Sequence, residues 1–165
     1  MPSVAFTKSD SFIADIASGF HRFASDTLKI CLTNTAVTSA TIRYNQVTEI
    51  AATGGYVTGG FVVQCTNTTY SSGTYRMFLA DKVLTAAGAA FPTFRYVVLY
   101  NAAQTTPVPA QAGSAVLARS TASGLIGWAS PFAILGYYDY GSAVDIPDGQ
   151  TFTMDFDATN GVFSI

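Results

Sequence analysis

A chain of 165 residues has the length of one domain and can bury a substantial core. It is 49% hydrophobic and only 11% charged, against roughly 25% charged in an average domain. Yet no run of about 18 apolar residues occurs, which excludes a membrane-spanning helix. The net charge is −2 and the eight Lys and Arg are scattered singly, so the clustered cations that nucleic-acid binding requires are missing.

A chain this poor in charge is expected to hide surface in an assembly, the competing reading being a compact β domain with an uncharged Thr, Ser and Asn exterior. Met1-Pro2-Ser3 starts no basic and apolar leader, so no secretory signal is expected. Without secretion, Cys31 and Cys65 are expected to be buried thiols.

Residues 1–8 read as an N-terminal arm. From Ser9 to Arg22 the spacing of Phe12, Ile13, Ile16, Ala17 and Phe20 predicts a helix with one apolar face, capped by Ser9 or Ser11 and weakened at Gly19. Thr27 to Asn34 alternates as a strand, with Leu28, Ile30 and Leu32 inward and Lys29 and Thr33 outward. Residues 36–52 read as loop with a short strand or turn near 42–50. Gly54-Gly55 and Gly59-Gly60 mark tight turns, and no helix pattern follows them to make a phosphate cradle. Phe61–Tyr70 and Thr74–Ala80 predict a hairpin about Ser71-Ser72-Gly73, continued by Asp81 to Thr85 after a kink.

The stretch from Thr93 to Asn101 is the richest in aromatic and β-branched residues and predicts a central strand. Phe94, Tyr96, Val98 and Tyr100 should share one face, Arg95, Val97 and Leu99 the other. Residues 102–124 read as a long surface loop or insertion. Leu125 to Tyr140 predicts two short strands parted by Pro131. Gln150–Asp157, with Phe152, Met154 and Phe156 inward, and Val162–Ile165 predict a final hairpin about Asn160-Gly161. The sum is a single mainly β domain over 1–165, an antiparallel sandwich or barrel-like α+β fold of roughly seven to nine strands with one N-terminal helix.

Chemistry is sparse. The single histidine, His21, has no nucleophile elbow to serve and too few partners for zinc, and reads as a partly exposed helix-end residue. Asp139, Asp145, Asp148, Asp155 and Asp157 match no calcium loop. Asp145 and Asp148 can share a loop. Asp155 and Asp157 share an outward strand face, and a glycosidase-like carboxylate pair stays open only because separation is a three-dimensional quantity. Tyr96, Tyr100, Trp128, Tyr137, Tyr138 and Tyr140 suit core or subunit contacts better than stacking on sugars or bases. The expectation is therefore no catalytic, metal or cofactor site.

Four ordered blocks then matter together. They are Asp10–Ala17 leading into Ser25–Ala36; Ile50–Gly60; Ser72–Tyr75 leading to Phe94–Asn101; and Gly136–Gly141 followed by Asp148–Phe152 and Asp155–Val162. They are spread from the N-terminal helix pattern to the last strand, and the ordered set resembles a family of small tailed-phage and prophage virion proteins. Two features depart from it. Val37 stands where similar proteins tend to have Pro, and 103–131 looks longer and partly duplicated, Leu125-Ile126-Gly127-Trp128 being echoed by Ile134-Leu135-Gly136-Tyr137.

The resemblance implies a structural role in the virion after assembly in the host cytoplasm. The first expectation is a capsid decoration (cement) protein bound to the major capsid protein as a homo-oligomer, with three-fold symmetry expected from capsid junctions. The alternatives are a neck or tail component and a carbohydrate-binding module of a phage appendage. No cofactor, direct nucleic-acid or membrane partner is expected. The interface candidates are Val4, Phe6, Trp128, Phe132, Tyr137, Tyr138 and Tyr140.

Overall fold

The computed structural model describes residues 4–103 and 132–165. Among these residues the chain is mainly β, with antiparallel sheets and one short α-helix, as expected. The main sheet has the order β1-β8-β7-β2-β3, built from β1 (Phe6–Lys8), β2 (Leu28–Thr33), β3 (Phe61–Val63), β7 (Phe91–Asn101) and β8 (Ile134–Ile146). A three-stranded sheet joins β10 (Phe163–Ser164), β5 (Thr74–Leu79) and β4 (Cys65–Ser71); β6 (Lys82–Thr85) pairs with β9 (Thr151–Met154).

The core forms where the two small sheets cover one face of the large one. Leu28, Ile30 and Leu32 of β2 and Phe94, Val97 and Leu99 of β7 pack with Met77, Leu79, Leu84, Phe152 and Met154. A smaller cluster lies on the opposite face, where Cys31, Tyr96, Val98, Tyr100 and Ile134 are covered by Val37, Tyr44 and Val47 of the long β2–β3 connection. That cover explains why Thr33 is fully buried rather than outward: its hydroxyl donates to Thr48 O at 2.5 Å.

The helix is shorter than its apolar spacing suggests. Helix α1 runs from Phe12 to Ala17 and ends in a Schellman motif: Gly19, at φ +74°, donates to Ile16 O, and the next N–H, of Phe20, donates to Asp15 O. The reversal swings His21 and Phe23 into the core and leaves Ile13 57% exposed instead of on the packed face. His21 is consequently buried, not a partly exposed helix-end side chain.

Further expectations change where pairing overrides local pattern. The arm expected over 1–8 is, from Phe6 to Lys8, an edge strand paired with Tyr138, Tyr137 and Gly136. The strand expected over 61–70 breaks at Gln64 and passes from the main sheet to the small one. The β4–β5 hairpin turns at Ser72 and Gly73, both at positive φ. Strand β6 leaves that hairpin for β9, so no hairpin forms about Asn160-Gly161; that segment carries the chain from β9 to β10 in the other small sheet.

The central strand is β7, with irregular register against β8 at Phe91/Phe94 and Phe94/Tyr96. Pro92, which lacks a ladder donor, sits within the first of these. At the second, β8 runs from Val144 to Asp139 while β7 runs only from Phe94 to Tyr96, and across this break Phe94 packs in the larger core while Tyr96, Val98 and Tyr100 face the smaller one. Strand β8 outruns its expected end at Tyr140 and continues to Ile146, so Asp145 lies on a strand and Asp148 in the turn beyond it. The expected loop at 102–124 falls outside the described residues from 104 onward, as does the strand expected at 125–131.

Candidate functional site

Most of the chain's scarce charges have structural work. Arg43 grips Asp15 through two nitrogens at 3.0 and 3.1 Å, and Ser11 donates to the same carboxylate at 2.7 Å, locking α1 to the turn at Tyr44–Gln46. Both charged side chains are nearly buried, at 12% and 6% exposure, so the fork-to-fork geometry must offset their desolvation. On the opposite face of the main sheet from the large core, Arg95 makes the same two-pronged contact with Asp139 at 2.7 and 2.8 Å and lies over the Tyr96 ring. That hydrogen bonding holds the Asp139 carboxyl below its usual value. Thr93 donates to Asp145 at 2.6 Å. Asp157 caps the turn to Asn160 through two backbone N–H groups and the Asn160 amide.

Glu49, which the sequence left without a role, is the most heavily bonded carboxylate. The hydroxyls of Tyr44 and Tyr56 donate to it, as does Gly59 N–H at 3.1 and 3.0 Å to its two oxygens. Burial first, and then the bond to Glu49, pushes both phenols well above the ordinary tyrosine value, so they stay protonated donors. Tyr100 stacks on Tyr44 at 4.6 Å and donates to Gly59 O at 2.7 Å. A carboxylate held by three donors in this way clamps the loop over β2. The Tyr56 hydroxyl also accepts from Leu32 N–H at 3.1 Å, where β3 no longer pairs with β2. Tyr56→Phe should therefore orphan a buried N–H and cost about 1–3 kcal/mol. Denaturant midpoints would show it, with Tyr70→Phe, at a side chain 75% exposed, as the near-neutral comparison.

His21 lies against Phe12 and Phe23. Asn101 Nδ2 faces its Nδ1 at 3.3 Å and also donates to Phe20 O at 3.1 Å and Asp26 at 2.5 Å. Its Nε2 has no hydrogen-bond partner among the described residues. Among the described residues, no three His, Cys, Asp or Glu side chains gather as a metal site. Cys31 and Cys65 are both free thiols; Cys31 is buried, but Cys65 is only half-buried because it begins an edge strand.

The interface candidates separate onto two faces. Phe132 and Tyr137 lie on the small-cluster face, beside Tyr44, Tyr100 and Tyr96. Val4, Phe6, Tyr138 and Tyr140 come together on the other, because pairing of β1 with β8 lines them along one open groove. Trp128 lies outside the described residues. The groove has a cavity volume of about 790 Å³. Met154, Asp155, Asp157 and Val162 form its other wall. Phe6 packs on Tyr138 at 5.2 Å, and Phe152 supports Tyr140 from beneath at 5.4 Å. Burial raises the Tyr140 phenol to about 12, so it offers a neutral hydroxyl. Among the described residues, the lining contains no Lys or Arg and no histidine. Such a surface suits protein side chains or the faces and hydroxyls of a neutral sugar, and repels anions. Neither the groove nor the Glu49 clamp was legible from periodicity, since each joins segments far apart in the chain.

A scan against protein-family models finds no match to this chain, and searches of curated proteins and of solved structures find none either.

Proposed function

We propose that this chain is a structural protein of a tailed-phage virion: a non-enzymatic decoration (cement) protein that binds the major capsid protein as a homo-oligomer and needs no cofactor. The observation that carries this reading is how the chain spends its charges. Asp15, Arg43, Glu49, Arg95, Asp139 and Asp157 are engaged in bonds within the chain, while Val57, Val62, Tyr70 and Val83 stand exposed. A surface of that kind suits contact with other protein chains better than reaction chemistry. The resemblance of the four sequence blocks to small phage virion proteins points the same way.

The test is made on particles. Those lacking the protein should release DNA at a lower temperature than complete ones, and purified chain added back should restore heat resistance. The copy number expected of a cement protein is on the order of hundreds per particle; about five to a dozen copies would favour a neck or tail ring. Unchanged heat resistance without the protein would end the decoration reading. The groove favours a second reading, binding of a neutral glycan by a phage appendage, since Phe6, Tyr138 and Tyr140 stand beside Asp155 and Asp157. Calorimetric binding of host-surface polysaccharide, lost in Tyr140→Ala, would establish that alternative.

A further inference from the structure

Sheet edges decide where β proteins meet, because an unpaired strand presents a row of free N–H and C=O groups. The edges of this fold are unequal. In the main sheet β1 and β3 are three residues each, and β1 carries Lys8; β10 is two residues. Strand β6 begins at Lys82, and β9 is four residues followed by Asp155. Strand β4 is the exception: seven residues, Cys65-Thr66-Asn67-Thr68-Thr69-Tyr70-Ser71, at the outer edge of its sheet, without charge, proline or glycine. Nor is a charge nearby in the chain, since none occurs from Ile50 to Tyr75. Five of the seven residues are exposed, Tyr70 to 75%.

We infer that β4 is the surface through which two copies of this chain join, edge to edge and antiparallel, about a two-fold axis at Thr69. The occupant is a second copy because an antiparallel strand pair is self-complementary: each free donor on one edge meets an acceptor on the same edge turned by two-fold symmetry. The irregularity between Cys65 and Asn67 ends the regular segment on one side and the turn at Ser72-Gly73 ends it on the other. That leaves Asn67 to Ser71, with Thr69 at its middle. Thr and Tyr are favoured strand residues, and Thr–Thr neighbours across a pair bond well. The nearest charge is Arg76, opposite Thr69 on β5, one strand behind the edge. In the pair, the two Arg76 side chains are separated by three strand spacings, roughly 14 Å, beyond a Debye length of about 10 Å at 0.1 M salt.

The inference deepens the assembly role proposed above by naming the contact, and rests on that reading only for the contact's purpose in a particle. The pairing joins copies across, not within, any three-fold ring. It is tested on the purified full chain. Light scattering should give an even multiple of the chain mass, halved in Thr69→Lys, which sets two cations face to face. In a Cys65→Ser background, Thr69→Cys should oxidise to a covalent dimer, since residues opposite one another in an antiparallel pair are within disulfide reach. Thr85→Cys, exposed on β6, should not. A monomeric parent chain overturns the inference, as does a Thr69→Cys chain that stays unlinked. Failure of the virion reading looks different: β4-linked dimers that never associate with particles. Particles bound and protected by Thr69→Lys monomers would overturn a role for the β4 contact in the particle and leave the virion reading standing.

Discussion

Replacing Gly60 with alanine should leave little folded protein. At φ +63° this residue occupies the left-handed region, which costs an alanine on the order of 1–2 kcal/mol. The larger penalty is steric. An added Cβ would lie 1.8 Å from Ile30 O and 2.9 Å from Cys31 Cα, and both belong to the backbone of β2 in mid-sheet. Ile30 and Cys31 are fully buried and β2 is bonded on its other side to β7, so neither can retreat. The chain must instead release β3, whose Phe61 pairs with Ile30, and withdraw Val63 from the core. A loss of about 4 kcal/mol or more follows, in the class of severe core overpacking with backbone strain. The informative comparison is Gly73→Ala: its φ of +79° carries similar strain, but nothing lies within 4 Å. Equal denaturant midpoints for the two variants would contradict the close approach of Gly60 to β2.

The second large effect is on acid stability. Burial lowers the His21 imidazole from 6.5 to about 4, outweighing the favourable fields of Asp15 and Asp26, with Arg43 lowering it further. The folded chain therefore holds a neutral ring where the unfolded chain is already protonated. Between pH 6.5 and about 4 the unfolded state binds the extra proton, so stability falls as pH falls through this window and the loss is complete below it. The full difference corresponds to about 3 kcal/mol, at 1.36 kcal/mol per unit. His21→Phe keeps a ring between Phe12 and Phe23 and should flatten the fall between pH 6.5 and 4. It should leave untouched the further loss below about pH 3.8 expected from Asp139 and Asp157, whose carboxyls are held low by hydrogen bonds. Unfolding free energies of parent and variant at pH 7.5, 5.5 and 4 would decide it. Parallel profiles would mean that His21 is not the group responsible.

These effects show where reading from residue types stops. Alternation identified β2, β7 and the inward trio Phe152, Met154 and Phe156, because burial on one face of a strand repeats every second residue. It also placed Asp155 and Asp157 outward, as found. The same logic put Phe94 with Tyr96 and failed, since a bulge is a property of two paired strands and leaves no local mark on either. Helix length failed in a related way. The apolar spacing holds for Phe12 and Ile16, which pack on the core from one helix face, but the chain reverses at Gly19, so Ile13 stays exposed and Phe23, beyond the reversal, supplies the next core side chain.

What the sequence by itself determined is the class of fold: mainly antiparallel β, one N-terminal helix, little charge, and turns where the glycines lie. Those are local consequences of side-chain shape, polarity and backbone freedom. Which strands are neighbours was decided only in the tertiary structure. Strand β9 pairs with β6, and β10 joins β5 rather than closing a hairpin about Asn160-Gly161, because burying Phe152, Met154 and Phe163 in one shared core outweighs the local turn preference. The groove of Phe6 and Tyr140, the clamp on Glu49 and the open edge of β4 are all products of that pairing. Each depends on contacts between distant segments, and a free energy shared across such contacts has no signature in any single stretch of sequence.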